Sequence, residues 1–417
     1  MSKISLKHSG GNVVSLNSPT NAPGSADVAF KLPNADGSDG QALVTDGSGN
    51  LSFGNVAGGS GRNLIINGAM QVAQRGTSST SVGYQTVDRF QLRASNTDNW
   101  AFTQTHEDVA VNEPPFYTDG FRKYYDIQTT TVETGNIGSD EYVDIFQRIE
   151  ANNTVQLGYG QSGGTAKTLT LSFWVRSYQT GTFVFYIYLS GGKMQVKNYT
   201  VSASNTWEKK SFIIEPDGAD AQLPSVNYSL QCGWMLAAGS NYTSGSTSTS
   251  YTTYANANLG ANQTADITSS TNNFFHLTGV QLEVGSVATD FEHRSFGDEL
   301  AKCQRYFYKV TKDGTDAEVT NMPIGTGVYY TANDFRCILD HPVEMRAAPT
   351  LTSNDNSGSY YIHFNSSHDG IDRLDSFHNS RKRSMVRNTA HASGTQGYPG
   401  LLHQENSNSS LTFSAEL

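Results

Sequence analysis

Lys167-Thr-Leu-Thr-Leu-Ser-Phe-Trp-Val-Arg-Ser177 alternates without a break: Leu169, Leu171, Phe173 and Val175 fall on one side of an extended chain, and Thr170, Ser172, Trp174 and Arg176 on the other. A period of two is the signature of a strand with one face against a core. Past a turn at Gln179-Thr-Gly181, Phe183, Phe185, Ile187 and Leu189 repeat the apolar face, opposed by Val184, Tyr186 and Tyr188. Trp207-Glu-Lys-Lys-Ser-Phe-Ile-Ile214 and Asn273-Phe-Phe-His-Leu-Thr-Gly-Val-Gln-Leu-Glu283 read as further strands. Strands separated by turn signals point to a two-sheet sandwich. The expected fold class is all-β.

Composition agrees. Hydrophobic residues are 36% of 417, which alone would suit a disordered chain, yet 21 Tyr, 20 Phe and 4 Trp are side chains that such chains lack. Only 16% of residues are charged, so Ser, Thr, Asn and Gly carry solubility, the mixture of strands joined by many turns. A net charge of -10 repels phosphate backbones, so no nucleic-acid partner is expected. Cys232, Cys303 and Cys337 have no metal-ligand spacing and read as buried thiols. The N-terminus lacks the apolar stretch of a secretory signal, and no apolar run is long enough to span a bilayer; no membrane insertion is expected.

The chain divides into four stretches. Residues 1–61 are rich in Gly, Ser, Asn and Asp, with a short strand Gln41-Ala-Leu-Val-Thr45 between the turns Asp36-Gly-Ser-Asp-Gly40 and Asp46-Gly-Ser-Gly-Asn50, then Leu51-Ser-Phe53 and a Gly58-Gly-Ser-Gly61 hinge. Such a hairpin needs a partner. Residues 62–291 hold the sandwich pattern. Residues 292–310 hold one helix: Ser295 and Asp298 have capping-box spacing, and Phe296, Leu300, Cys303 and Phe307 recur at helical intervals. Residues 311–417 return to short strands such as Gly327–Tyr330, Arg336–Leu339 and Leu411–Phe413, a small C-terminal β-domain for trimerisation or a tip.

The motifs Asn63-Leu-Ile-Ile-Asn-Gly-Ala-Met-Gln-Val72, Gln74-Arg-Gly76, Asp88-Arg-Phe90, Phe146-Gln-Arg-Ile-Glu150, Leu171-Ser-Phe-Trp-Val175 and Thr278-Gly-Val-Gln-Leu-Glu-Val-Gly285 resemble, in order, a domain of structural proteins of marine bacteriophages. Phe291-Glu-His-Arg-Ser295, Glu299–Tyr306 and Val343–Thr350 extend the likeness to about residue 350, and Thr45–Phe53 resembles phage-fibre N-termini. The resemblance implies a tail fibre or minor structural protein of the virion, assembled in the host cytoplasm. Its central domain would be similar to jelly-roll carbohydrate-binding modules. It further implies a homotrimer that docks on other virion proteins through residues 1–61 and grips a host-surface glycan or lipopolysaccharide. Trimerisation also has a physical motive, since a chain poor in hydrophobic residues gains an interior by burying aromatic faces against its copies. A head-decoration or capsid fibre shares every feature. A polysaccharide-cleaving tailspike would need paired carboxylates across a cleft and a long repetitive solenoid, of which no period is seen; no enzymatic activity is expected.

Two catalytic signatures coincide in one loop. Gly158-Tyr-Gly-Gln-Ser-Gly163 matches a dinucleotide fingerprint and Gly160-Gln-Ser-Gly-Gly164 a nucleophile elbow, but each needs a helix where a strand follows. The Asp/Gly turns at 36–50 fail the helical calcium-loop register, with Asp39 where Gly is required and Thr45 where Glu is required. No cofactor is expected; a structural calcium elsewhere in a jelly roll is left open, without named ligands. His341, His363, His368, His378, His391 and His403 form neither His-x-His nor a helical pair; no metal ligand is named and they read as exposed or hydrogen-bonded histidines, with a metal site at the distal end as the alternative.

Glycan-binding candidates come from the alternation. If Leu169 to Val175 face inward, Trp174 and Arg176 face outward beside Tyr186 and Tyr188, offering aromatic rings for pyranose faces and guanidinium donors for hydroxyls. The alternative is that a neighbouring subunit or loop covers this face. Tyr242, Tyr251 and Tyr254, in a Ser/Thr/Gly/Asn-rich loop between Gly239 and Gly260, have paratope-like composition, with a solvated loop as the alternative. Arg381, Lys382, Arg383 and Arg387 are the densest basic cluster, a solvated face or a contact for lipopolysaccharide phosphates.

Overall fold

A computed structural model describes residues 3–7, 13–17, 31–34, 36–37, 41–45 and 50–55, and everything from 61 onward except 114–115, 136, 161–165, 219–224, 312–320, 355–357 and 406–408. The turns at 38–40 and 46–49, most of the hinge, and Ser162 of the elbow motif lie outside the described residues. There are two compact units, Met1–Gly58 and Gly59–Leu417.

In the first unit, β1 (Lys3–Lys7) pairs antiparallel with β2 (Val13–Asn17), and β3 (Gln41–Thr45) with β4 (Leu51–Asn55). Leu43 sits opposite Phe53, and both are at least 40% exposed, although Gly37 lies against the Phe53 ring and Lys31 bridges to Asn50 beside β4.

The second unit opens with a sandwich: β5 (Ser78–Ser79), β6 (Gln91–Ser95), β7 (Ala101–Asp108), β8 (Lys123–Thr131), β9 (Tyr142–Glu150), β10 (Leu169–Ser177), β11 (Gly181–Leu189), β12 (Lys193–Val201), β13 (Glu208–Ile214), β14 (Tyr228–Ala238), β15 (Thr252–Thr253) and β16 (Phe274–Val284). They form two six-stranded antiparallel sheets, β13-β10-β16-β8-β7-β5 and β15-β12-β11-β14-β9-β6. Leu169, Leu171, Phe173 and Val175 from the first and Phe183, Phe185, Ile187 and Leu189 from the second meet in one core around Trp234. β10 and β11 are not hairpin partners: the chain crosses between sheets there and again from β12 to β13, connections of the jelly-roll kind. The outer faces are covered too. Val184, Tyr186, Met194 and Met235 lie under Leu259 and Ala261 of the Gly239–Gly260 loop region, which carries α1 (Ser240–Thr243). Phe116 and Phe121 cover Trp174 and Trp207 on the other sheet. Both coverings come from this same chain.

A nine-residue helix, α2 (Phe296–Gln304), follows, capped as its sequence predicts, with the Ser295 hydroxyl accepting from Asp298 N–H at 3.2 Å. It is shorter than the apolar spacing suggested. Phe296 is exposed, and Phe307 belongs to a strand, because its backbone pairs with the C-terminal strand instead of continuing the helix.

The remaining strands are β17 (Phe307–Lys309), β18 (Met322–Thr331), β19 (Asp334–Asp340), β20 (Thr350–Ser353), β21 (Tyr360–Phe364), β22 (Ser367–Ile371), β23 (Asp375–Asn379), β24 (Arg383–Asn388), β25 (Pro399–Gln404) and β26 (Leu411–Ser414). A three-stranded sheet, β17-β26-β20, and a seven-stranded sheet, β22-β21-β25-β18-β19-β24-β23, enclose a core that includes Tyr329, Phe335, Ile362, Val386, Leu402 and Phe413. Four arginines then hold the segment after β26. Glu416 is paired by Arg75 at 3.0 Å and by the fully buried Arg89; Arg148 donates to the Leu417 carbonyl at 2.9 Å, and Arg346 to the Ala415 and Glu416 carbonyls at 2.7 and 2.9 Å. The three cysteines are buried and unpaired.

Candidate functional site: a tyrosine pocket on the sandwich

On the outer face of the second sheet, Arg93, Tyr142, Tyr186, Tyr188, Gln231, Tyr254 and Leu259 line a pocket of about 180 Å³. Four strands and the Gly239–Gly260 loop build it. Tyr186 of β11 lies flat across β14, which is feasible because its register partner is Gly233: a Cβ there would sit 2.1 Å from the Tyr186 ring. The Tyr186 hydroxyl donates to Asp144 Oδ2 at 2.5 Å and accepts from Gln231 Nε2 at 2.9 Å. Arg93 clamps the same carboxylate, Nε to Oδ1 at 2.9 Å and Nη2 to Oδ2 at 2.6 Å, in a bidentate pair. Burial, with Asp144 adding to it, pushes the Tyr186 hydroxyl well above its ordinary range, so it stays a donor.

This network is a rigid polar floor. Above it stand Tyr188 and Tyr254, edge to face with centroids 5.6 Å apart, and Tyr142, which meets Tyr242 at 4.8 Å; Tyr254 is 40% exposed. The pocket is smaller than the roughly 300–1,000 Å³ of drug-sized sites, and suits one ring-sized ligand. Partly exposed tyrosine rings beside fixed guanidinium and amide donors are the pairing that a sugar ring requires, an apolar face and a hydroxyl edge together.

The structure separates residues that the alternation had placed side by side. Tyr186, Tyr188 and Tyr254 share the pocket, with Tyr242 on its flank through Tyr142. Tyr251 does not join them; its ring packs against Tyr159 at 6.1 Å, on the edge of the main core. Trp174 and Arg176 are on the other sheet, so they are not beside Tyr186 and Tyr188 but across the sandwich from them. A period of two tells which residues share a face of one strand and not which sheet the next strand joins.

Arg176 is also committed elsewhere. It pairs with Glu113 at 2.6 Å, covers Trp207, and donates through Nε to His276 Nδ1 at 2.9 Å, whose Nε2 faces Asp126 at 2.9 Å. An imidazole that accepts at Nδ1 is neutral, and burial lowers the His276 pKa, Asp126 opposing. Trp174 lines a separate cavity of about 280 Å³ with Phe121, Phe291, Lys209, Asp119 and Asp290. The basic cluster is dispersed: Arg381 pairs with Glu344 at 2.7 Å and Arg383 with Asp340 at 3.1 Å, Arg387 lies over Phe377, and Lys382 is exposed at the turn before β24. Sequence reasoning missed Arg93, Tyr142 and Gln231, whose strands are short or interrupted by bulges; Asp144 beneath them carried no motif.

For a cation, one group among the described residues brings carboxylates together: Asp98, Glu133 and Glu141, with ligand atoms within 4.8 Å. Glu133 already accepts backbone N–H groups from Asn99, Trp100 and Thr134, and Glu141 one from Gly138, so these carboxylates also serve as loop clips.

No family model matches the sequence, and no curated protein matches it. Among solved structures, the chain is similar over 54% of its length to the enzymatically active domain of tailspike protein 4 of bacteriophage CBA120, at 12% identity and a TM-score of 0.29; it spans only 22% of that chain. A carbohydrate-binding module described as CBM4 matches over 53% of this chain and 99% of its own, at 12% identity and TM-score 0.27. The CBM22-1 xylan-binding domain of Paenibacillus barcinonensis Xyn10C matches over 56% and 100%, at 10% identity and TM-score 0.25.

Proposed function

We propose that this chain is a non-enzymatic, glycan-binding fibre protein of a bacteriophage particle, and that the tyrosine pocket receives a sugar of the host surface. The observation that carries the reading is the pocket itself: the exposed Tyr254 and the half-buried Tyr188 over an immobilised Arg93–Asp144–Tyr186–Gln231 network. Its residues are fixed before any ligand arrives, which lowers the ordering cost of binding. The ordered phage-like motifs support the virion setting, a tail fibre first and a head-decoration fibre second, with residues 1–61 as the attachment segment and three copies per fibre. A glycan array followed by titration calorimetry tests the pocket. The double variant Tyr188→Ala/Tyr254→Ala should lose about tenfold or more in affinity, the scale of a lost aromatic contact of about 1–1.5 kcal/mol. Unchanged affinity would rule this pocket out.

A cleaving tailspike is the second reading, and one observation marks where it would act. Asp119 and Asp290 both line the Trp174 cavity, whereas none of the residues lining the tyrosine pocket is a carboxylate. Incubation with host capsule or lipopolysaccharide should release no oligosaccharide. Release that disappears in Asp119→Asn or Asp290→Asn would overturn the binding-only account.

A further inference from the structure

Three histidines that the sequence scatters meet on the outer face of the seven-stranded sheet. β21 and β22 are joined by the two-residue turn Asn365-Ser366, both at positive φ (45° and 60°), the type I′ geometry that matches strand twist. This turn fixes the register so that His363 faces His368 directly. His403 comes from β25, where it pairs with Tyr361, one diagonal step from His363. Ring centroids are 5.1 Å apart for His363–His403 and 6.1 Å for His363–His368.

We propose that His363, His368 and His403 form a binding site for a late first-row divalent cation such as zinc, nickel or copper. Metal–nitrogen bonds of about 2.1 Å place the centres of two imidazoles on one ion roughly 5–6 Å apart, a spacing the His363–His403 pair has; the three sets of ring nitrogens do not all lie within 4.8 Å of one another as placed, so His363 and His368 must turn to meet an ion. His403 supplies a second, independent sign. Its Nδ1 lies 3.1 Å from the Asn321 carbonyl, which can only accept, so Nδ1 holds the proton and Nε2 is left as a lone pair. That Nε2 is buried and has no hydrogen-bond partner. A backbone carbonyl fixing one ring nitrogen while the other is left as a base is how metal-binding histidines are oriented. Tyr361, 7% exposed, stacks on His403 at 5.3 Å and 11° and holds the ring in place. A cavity of about 420 Å³ is lined by His363, His368 and Glu405, with His403 outside its wall. The two exposed histidines close on the ion by side-chain rotation. Bound there, it would tie edge strand β22 through β21 to β25. Imidazole nitrogens select these ions over magnesium or calcium.

Calorimetric titration of the full chain with zinc chloride and, separately, copper chloride at neutral pH tests the site, with circular dichroism checking each variant. The expected result is one saturable ion per chain, weakened tenfold or more in His363→Ala and in His403→Ala and unaltered in Glu133→Gln. His368→Ala, an exposed position beside the turn, gives the same reading should His403→Ala fail to fold. Absence of saturable uptake, or uptake unaffected by His363→Ala, would overturn the proposal. Loss of uptake in Glu133→Gln alone would do so as well, by placing the ion on the carboxylate trio.

Discussion

Gly233 shows how one missing side chain makes a site. Its absent Cβ is where the Tyr186 ring lies, and that ring carries the hydroxyl that Asp144 and Gln231 hold. Gly233→Ala should therefore displace Tyr186, lower stability by about 1–3 kcal/mol through overpacking, and weaken glycan binding; denaturant melts and the array read both effects. Asp88 makes a second residue-scale prediction. It is 1% exposed, and burial raises its carboxyl to about 6 against the pull of Arg75 and the Gln74 hydrogen bonds. Its folded-state pKa exceeds the unfolded one, so the folded chain binds more protons between about pH 4 and 6, and stability falls as pH rises through that window by about 3 kcal/mol. The difference between wild-type and Asp88→Asn stability profiles should have that sign; a difference that rises with pH would contradict it. At this scale the sequence was legible where alternation speaks: the inward Leu169–Val175 and Phe183–Leu189 faces are in the core. It was silent on Gly233, because a strand glycine carries no label for what lies over it.

Elements add constraints that no local pattern carries. In β10 the register against β16 slips between Ser172 and Trp174, and Gly279 opposite adopts φ +59°. A Cβ there would sit 2.8 Å from both Trp174 and Phe121, so the bulge and the glycine together set how Trp174 is aimed. Gly279→Ala should destabilise the sandwich and reshape the Trp174 cavity, visible as a shifted tryptophan emission. The C-terminal segment is the second case. Arg89 is fully buried, and its carboxylate partner Glu416 is 327 residues away. Glu416→Ala leaves that guanidinium without its counter-ion, and should cost about 3–5 kcal/mol, read as a lower melting temperature; an unchanged melt would show that Arg89 finds another partner. Capping of α2 was legible from Ser295 and Asp298, whereas the helix end was not, because pairing of Phe307 with Ser414 decided it.

For the whole molecule, the motive for trimerisation needs correction. A chain with 36% hydrophobic residues was expected to lack an interior of its own, yet one copy encloses Phe90, Phe173, Phe185 and Trp234 with no more than traces of exposure. Many of the tyrosines and phenylalanines gather in two cores and in the two clusters covering the sandwich instead of being spread thin, a distribution composition does not report. Three copies remain our proposal for the fibre, and among the exposed apolar residues a group sits on the C-terminal sheet, with Tyr330, Ile338 and Leu401 each at least 50% exposed. Sedimentation equilibrium should give the mass of a trimer, and Ile338→Asp/Leu401→Asp should lower it; a monomer at micromolar concentration would remove the trimer and leave the pocket untouched. The pocket is tested most directly by a structure of the chain bound to an oligosaccharide from its host envelope. The account predicts a sugar ring against Tyr188 and Tyr254 with hydroxyls on Arg93 and Gln231. Density on any other face, with the tyrosine pocket vacant at saturating ligand, would contradict it.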